Sequence, residues 1–168
     1  DYSGTYTMTA GQTLIVDKNG FTFNKPAVEG AYIVNSSNSG TVYTYTVTEA
    51  AVEFTSTSGA VSYKMNLDYT NVGTGGTYKL LTDITAATRI VPGILARDVT
   101  IDLNGHTLTS SASDFGILLS RGGPESSHVA FSIVDTSADK GGKFVAASAG
   151  TTIQAQGNYN DITIGEGV

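Results

Sequence analysis

Asp102-Leu103-Asn104-Gly105-His106-Thr107-Leu108 repeats the pattern of Asp17-Lys18-Asn19-Gly20-Phe21-Thr22-Phe23, with Asp, Asn, Gly and Thr at identical spacing 85 residues apart. Each copy follows an apolar alternating run, Thr13 to Asp17 in the first and Val99 to Leu103 in the second. Asn-Gly is favoured where two successive residues need positive φ, so each copy reads as strand, tight turn, strand, with Asn19, Gly20, Asn104 and Gly105 as structural turn residues. Gly4-Thr5-Tyr6 lies upstream of the first copy and Gly76-Thr77-Tyr78 upstream of the second, where the interval is 13 residues longer, room for an extra strand and turn. Internal repetition of this kind predicts tandem homologous units rather than one singular enzyme core.

The same alternation extends outward. Tyr43, Tyr45 and Val47 alternate with Thr44, Thr46 and Thr48, and Val129, Phe131 and Ile133 repeat the period, as half-buried strands require. Further strands are expected at Ala31 to Asn35, Val61 to Leu67, Thr77 to Leu81, Thr151 to Ala155 and Asp161 to Ile164. Only Thr82 to Ala87 has modest helical character, and it is short and Thr-rich. Thr, Ser, Val, Tyr and Gly are abundant while Leu, Lys, Glu and Arg are scarce, an all-β composition.

At 168 residues the chain is one ordinary domain or two small ones. Nine Lys and Arg against fifteen Asp and Glu give a net charge of −6, which argues against a phosphate backbone as partner. No cysteine is present, which excludes disulfides, thiolate metal sites and a cysteine nucleophile. No run approaches the ~18 apolar residues of a membrane span, so no membrane insertion is expected within this chain. The opening residue is Asp1 rather than Met and no signal-like segment opens the chain, so a processed protein or an excised piece is expected.

Gly76-Thr77-Tyr78-Lys79-Leu80-Leu81-Thr82-Asp83-Ile84 and then Val99-Thr100-Ile101-Asp102-Leu103-Asn104-Gly105-His106-Thr107-Leu108 resemble the right-handed parallel β-helix modules of large, repetitive surface proteins of Gram-positive, often gut-dwelling, bacteria. Phe131-Ser132-Ile133-Val134-Asp135-Thr136-Ser137, Gly141-Gly142-Lys143-Phe144 and Asp161-Ile162-Thr163-Ile164-Gly165-Glu166-Gly167-Val168 are similar to later coils of such a module. The resemblance implies a β-helix module over residues 76–168. It implies a linking element at 51–75, and at 1–50 the β-rich end of a preceding repeat, either part of the same solenoid or a small sandwich. Inward Val, Ile, Leu and Phe, outward Thr and Ser, and Gly or Asn at corners suit such coils. Leu103, Ile133, Ile153 and Ile164 recur at uneven intervals of 30, 20 and 11, which predicts loops of variable length. Val168 follows directly on a strand, so the native chain is expected to continue past it or to be capped by another chain.

Candidate chemistry is sparse. His106 and His128 have no second histidine at ligand spacing and read as turn or surface residues. Asp98, Asp102, Asp135 and Asp139 place carboxylates along the edge of neighbouring coils, where calcium would find oxygen ligands; the alternative is solvated turn residues. No other cofactor is indicated. Pectin-degrading enzymes resemble the chain only in architecture. Their Gly-His-Gly and Arg-x-Lys elements have no counterpart, since His106 has glycine on one side only and Arg89-Ile90-Val91 departs at its last position. Gly122-Gly123-Pro124 is a loop marker without a following Gly-Lys-Ser/Thr, and Asn35-Ser36-Ser37 matches a glycosylation acceptor only formally. Among nine tyrosines, Tyr43 and Tyr45 read as packing residues, while Asn158-Tyr159-Asn160 is the loop singled out for ligand contact.

The expectation is a non-enzymatic extracellular structural or adhesive segment of a bacterial surface protein. Its partners would be itself, neighbouring repeats or protomers, and host or microbial glycans or proteins. The alternatives are a filament subunit joined by β-strand addition and a β-helix polysaccharide lyase or glycosidase.

Overall fold

The computed structural model describes residues 2–67, 74–91, 97–119, 125–147 and 150–168, and every regular element in them is a strand. Gly122-Gly123-Pro124 and Tyr69 fall outside the described residues. The chain divides into two compact units, residues 1–50 and 51–168.

The first unit holds β1 (Thr7–Met8), β2 (Thr13–Asp17), β3 (Ala27–Val28), β4 (Tyr32–Ser39) and β5 (Val42–Glu49). β5 lies between β2 and β4 in an antiparallel sheet, and β4 turns into β5 through Gly40, whose φ of 59° suits the tight connection. β1 pairs with β3 in parallel, and an isolated parallel bridge joins Tyr2 to Phe23. Tyr45 is buried with Met8 and Val34, and Tyr43 packs against them half-buried. Both tyrosines are therefore packing residues, with Tyr43 also under the Lys18 ammonium, 4.0 Å from its ring centre.

The second unit holds β6 (Val52–Ser56), β7 (Val61–Lys64), β8 (Gly76–Leu80), β9 (Ile84–Ala86), β10 (Val99–Asp102), β11 (Thr107–Ser110), β12 (Phe115–Leu119), β13 (Val129–Val134), β14 (Lys143–Ala146), β15 (Thr151–Ala155) and β16 (Asn160–Ile164). A six-stranded mixed sheet runs β16-β13-β10-β8-β6-β7, parallel from β16 to β8 and antiparallel from β8 to β7. β14, β11 and β9 form a second, wholly parallel sheet, and β12 and β15 a third, which the bridge Ile90↔Ile117 extends. The fold is all-β with several sheets, and no helix occurs among the described residues.

The registers explain the core. Tyr78, Ile101 and Ile133 are in line across β8, β10 and β13 and are all buried, as are Ile84 and Leu108 across β9 and β11. Between these inward residues, Thr77, Thr100, Ser132 and Thr163 line the other face, as the period of two dictates. The core also takes in Val52, Phe54, Leu67, Leu103, Ile117, Leu119 and Phe131.

Three expectations change. Thr82 to Ala87, read with helical character, contains strand β9, because Ile84, Thr85 and Ala86 gain pairing partners in β11 that no local propensity records. Residues 51–67, expected within a linking element, supply two strands of the six-stranded sheet and three core residues to the second unit. The inward set Leu103, Ile133, Ile153 and Ile164 mixes sheets. Ile133 and Ile164 share a ladder and are 31 residues apart, whereas Ile153 pairs with Ile117 on another sheet.

Candidate functional site

Two constellations contain the residues singled out from the sequence, and the first is the corner after β10 and β13. Asn104 has φ 47° and Gly105 φ 82°, the paired positive values that an Asn-Gly turn supplies cheaply. Asn19 and Gly20 repeat this at 25° and 89°. Asn104 N donates to Asp102 Oδ1 at 3.0 Å and Asn19 N to Asp17 Oδ1 at 3.2 Å, so the sequence repeat is also a repeat of local geometry. Beyond that the two corners differ, because the second is tied to strands on both sides.

Asp102 accepts from Thr136 N at 3.0 Å and from the Thr136 hydroxyl at 2.6 Å, reaching from the end of β10 to the end of β13. Asp135 sends its carboxylate back, where Oδ1 accepts from Gly105 N at 2.9 Å and Ser137 N at 3.0 Å, and Oδ2 from Gly142 N at 2.6 Å. Asn104 Nδ2 donates to the carbonyl of Leu80 at 2.9 Å, extending the tie to β8. Asp135 is only 2% exposed. Burial, the largest influence, pushes its carboxyl up, but the Ser137 hydroxyl beside it and the N–H groups of Gly142, Ser137 and Gly105 outweigh that and hold it at about 2.

Of the four carboxylates considered for calcium, Asp102 and Asp135 are thus brought together, each engaged with hydrogen-bond donors. Asp98 lies at the opposite end of β10, where it accepts from Ala130 N at 2.8 Å, and Asp139 is exposed. Calcium takes roughly 6–8 converging oxygens. No cluster of three or more His, Cys, Asp or Glu able to hold a metal occurs among the described residues.

The second constellation surrounds Tyr159. Its φ is 55°, an uncommon value for a bulky side chain, and the residue is 42% exposed. Asn160 Nδ2 donates to Gly157 O at 2.8 Å, closing the loop on itself, while Asn158 is exposed. The His128 ring lies 5.4 Å from that of Tyr159, and His128 Nδ1 is 2.9 Å from Asp161 Oδ1. The structure therefore assembles a phenol ring, an imidazole and a carboxylate around the loop. His128 was not linked to Tyr159 or Asp161 in the sequence, because only the register Val129↔Asn160 sets position 128 opposite 159. His106 faces Asp83 in the same way, at 3.5 Å. A shallow apolar cavity of about 390 Å³, lined by residues including Phe144, Ile153, Ile164 and Val168, lies elsewhere in the second unit.

Comparison with known proteins finds no matching family model, no matching curated protein and no matching solved structure.

Proposed function

We propose that residues 76–168 are successive coils of a right-handed parallel β-helix, and that the protein is a non-enzymatic structural and adhesive segment of an extracellular bacterial surface protein. The strand order carries this reading. Along the chain, β8-β9, β10-β11-β12 and β13-β14-β15 each add one strand to successive parallel ladders, and β16 begins the next circuit. Such a stack extends by repetition without redesigning a core, which suits a stalk. The exposed Tyr159, backed by His128 and flanked by Asn158 and Asp161, offers the mixture of aromatic face and hydrogen-bonding groups that sugar rings take.

A second reading has its own observation. Ile162 and Ile164 of β16 are 44% and 50% exposed, on a parallel strand whose outer edge carries no partner among the described strands. An exposed apolar edge is a template for strand addition, and a self-assembling filament would use it.

Electron microscopy of the purified chain, followed by a glycan array, tests both. Discrete elongated particles that bind a glycan, with binding lost in Tyr159→Ala, are expected for the stalk module. Concentration-dependent fibres would favour the filament. A rounded particle that shortens polysaccharide chains on incubation would overturn both in favour of an enzyme.

A further inference from the structure

The chain contains two Asn-Gly pairs, and their surroundings give them opposite chemical fates. Glycine after asparagine leaves the backbone nitrogen unhindered for attack on the preceding side-chain amide. In a folded protein the rate then depends on how readily the turn opens and whether that nitrogen is free. At Asn19-Gly20 both residues are exposed, and a side chain added at Gly20 would meet nothing within 4 Å. The turn is held by Asn19 N on Asp17 Oδ1 at 3.2 Å and by Phe21 N on Lys18 O. The Asn19 side-chain amide and the Gly20 N–H have no hydrogen-bond partner among the described residues.

Asn104-Gly105 makes the same local turn, with His106 N on Leu103 O at 2.8 Å. There, however, the attacking nitrogen and the leaving amide are both engaged. Gly105 N donates to Asp135 Oδ1 at 2.9 Å, and Asn104 Nδ2 donates to Leu80 O at 2.9 Å. The carboxylate of Asp135 also opposes loss of the Gly105 proton, since the resulting anion would face a like charge.

We propose that Asn19 is a site of spontaneous deamidation in the folded protein, and that Asn104 is protected by its ties to the neighbouring strands. Base removes the Gly20 amide proton and the nitrogen attacks Asn19 Cγ. The N–Cγ bond forms, the Cγ–Nδ2 bond breaks, and ammonia leaves. Water then opens the resulting succinimide at either carbonyl, giving aspartate or isoaspartate at 19, with no oxidant or reductant consumed. The product carries one more negative charge on a chain already at −6, placed at the end of β2. The isoaspartyl form also lengthens the backbone by a methylene at that corner. The Asn-Gly turn of the first unit is thereby altered by age while that of the second is spared.

The test is peptide mapping by mass spectrometry of the whole chain aged in mildly alkaline buffer, folded and in denaturant. In denaturant both sites are expected to convert at similar rates. In the folded chain Asn19 should convert at close to its denatured rate, and Asn104 roughly ten- to a hundred-fold more slowly than its own denatured rate, the scale of two net hydrogen bonds. Equal rates at the two sites in the folded chain, or an intact Asn19 on the timescale of conversion in denaturant, overturns the proposal. Asp135→Ala, which removes both acceptor oxygens and with them the Gly105 tie, checked for folding by circular dichroism, should speed conversion at Asn104. A folded variant with Asn104 as slow as before refutes the protective role of the Gly105 tie, and if the variant fails to fold, the contrast in the wild-type chain decides alone.

Discussion

Replacing Asp135 by asparagine keeps the shape of the buried side chain but turns one of its two acceptor oxygens into a donor. Either the Gly142 N–H or the pair from Gly105 and Ser137 then faces an NH2 group. A hydrogen bond to a charged group contributes about 1.5–3 kcal/mol, and a buried N–H left without an acceptor costs about 1–3 kcal/mol. The expected loss at neutral pH is about 2–4 kcal/mol. Acid adds a second signature. The carboxyl sits at about 2 in the folded chain against 3.8 ordinarily. Because the folded value is the lower one, the stabilisation is fully present above the unfolded value and is lost as pH falls through 4 toward 2. The nearly two-unit difference corresponds to about 2 kcal/mol. Urea titrations followed by circular dichroism, for wild type and Asp135→Asn from neutral pH down to about pH 2, should show the gap between them shrink by that amount. A variant within 0.5 kcal/mol of wild type at neutral pH, about the scale of a surface substitution, refutes the reasoning; so does a gap that does not change with pH.

Gly76→Ala should cost about 2–4 kcal/mol in the same titration, because φ is 138° there and an added Cβ would lie 2.3 Å from the Thr55 carbonyl oxygen. Tyr78→Phe removes the hydroxyl that donates to Thr74 O at 2.7 Å and should cost about 1–2 kcal/mol. The same buried phenol, held above its ordinary ionisation range by burial, should stay un-ionised in an ultraviolet titration until the chain unfolds in alkali. Ser110→Ala should be neutral or stabilising by up to about 1 kcal/mol, since Ser110 Oγ, buried between Ala86 and Ala146, has no hydrogen-bond partner among the described residues. Thermal melts in calcium and in chelator should coincide, because the carboxylates of Asp102 and Asp135 already face N–H donors.

How far the sequence could be read depends on how local each signal is. Strands β2, β10, β13, β15 and β16 were legible because alternation is a property of neighbouring residues. Strand β12 was not, since Phe115-Gly116-Ile117-Leu118-Leu119 is a nearly continuous apolar run broken by glycine, buried on most positions rather than on alternate ones. The Asn-Gly corners were visible and proved alike in geometry. Their different ties were invisible, because Asp135 lies 30 residues from the amide it holds, at Gly105. The same distance in sequence hid His128 from the Tyr159 loop and its neighbour Asp161, a loop that the exposed tyrosine alone had marked.

The uneven spacing of the paired strands bears on what this fold tolerates. Residues in register are 23 apart between β8 and β10, and 36 apart between β11 and β14. For a flexible connection, closing the longer circuit instead of the shorter one costs only about 0.4 kcal/mol in chain entropy. Inserted residues between strands are therefore nearly free, provided the inward column and the carboxylate ties are kept. The bends can therefore change in length and sequence far more readily than the ladders that hold them in place.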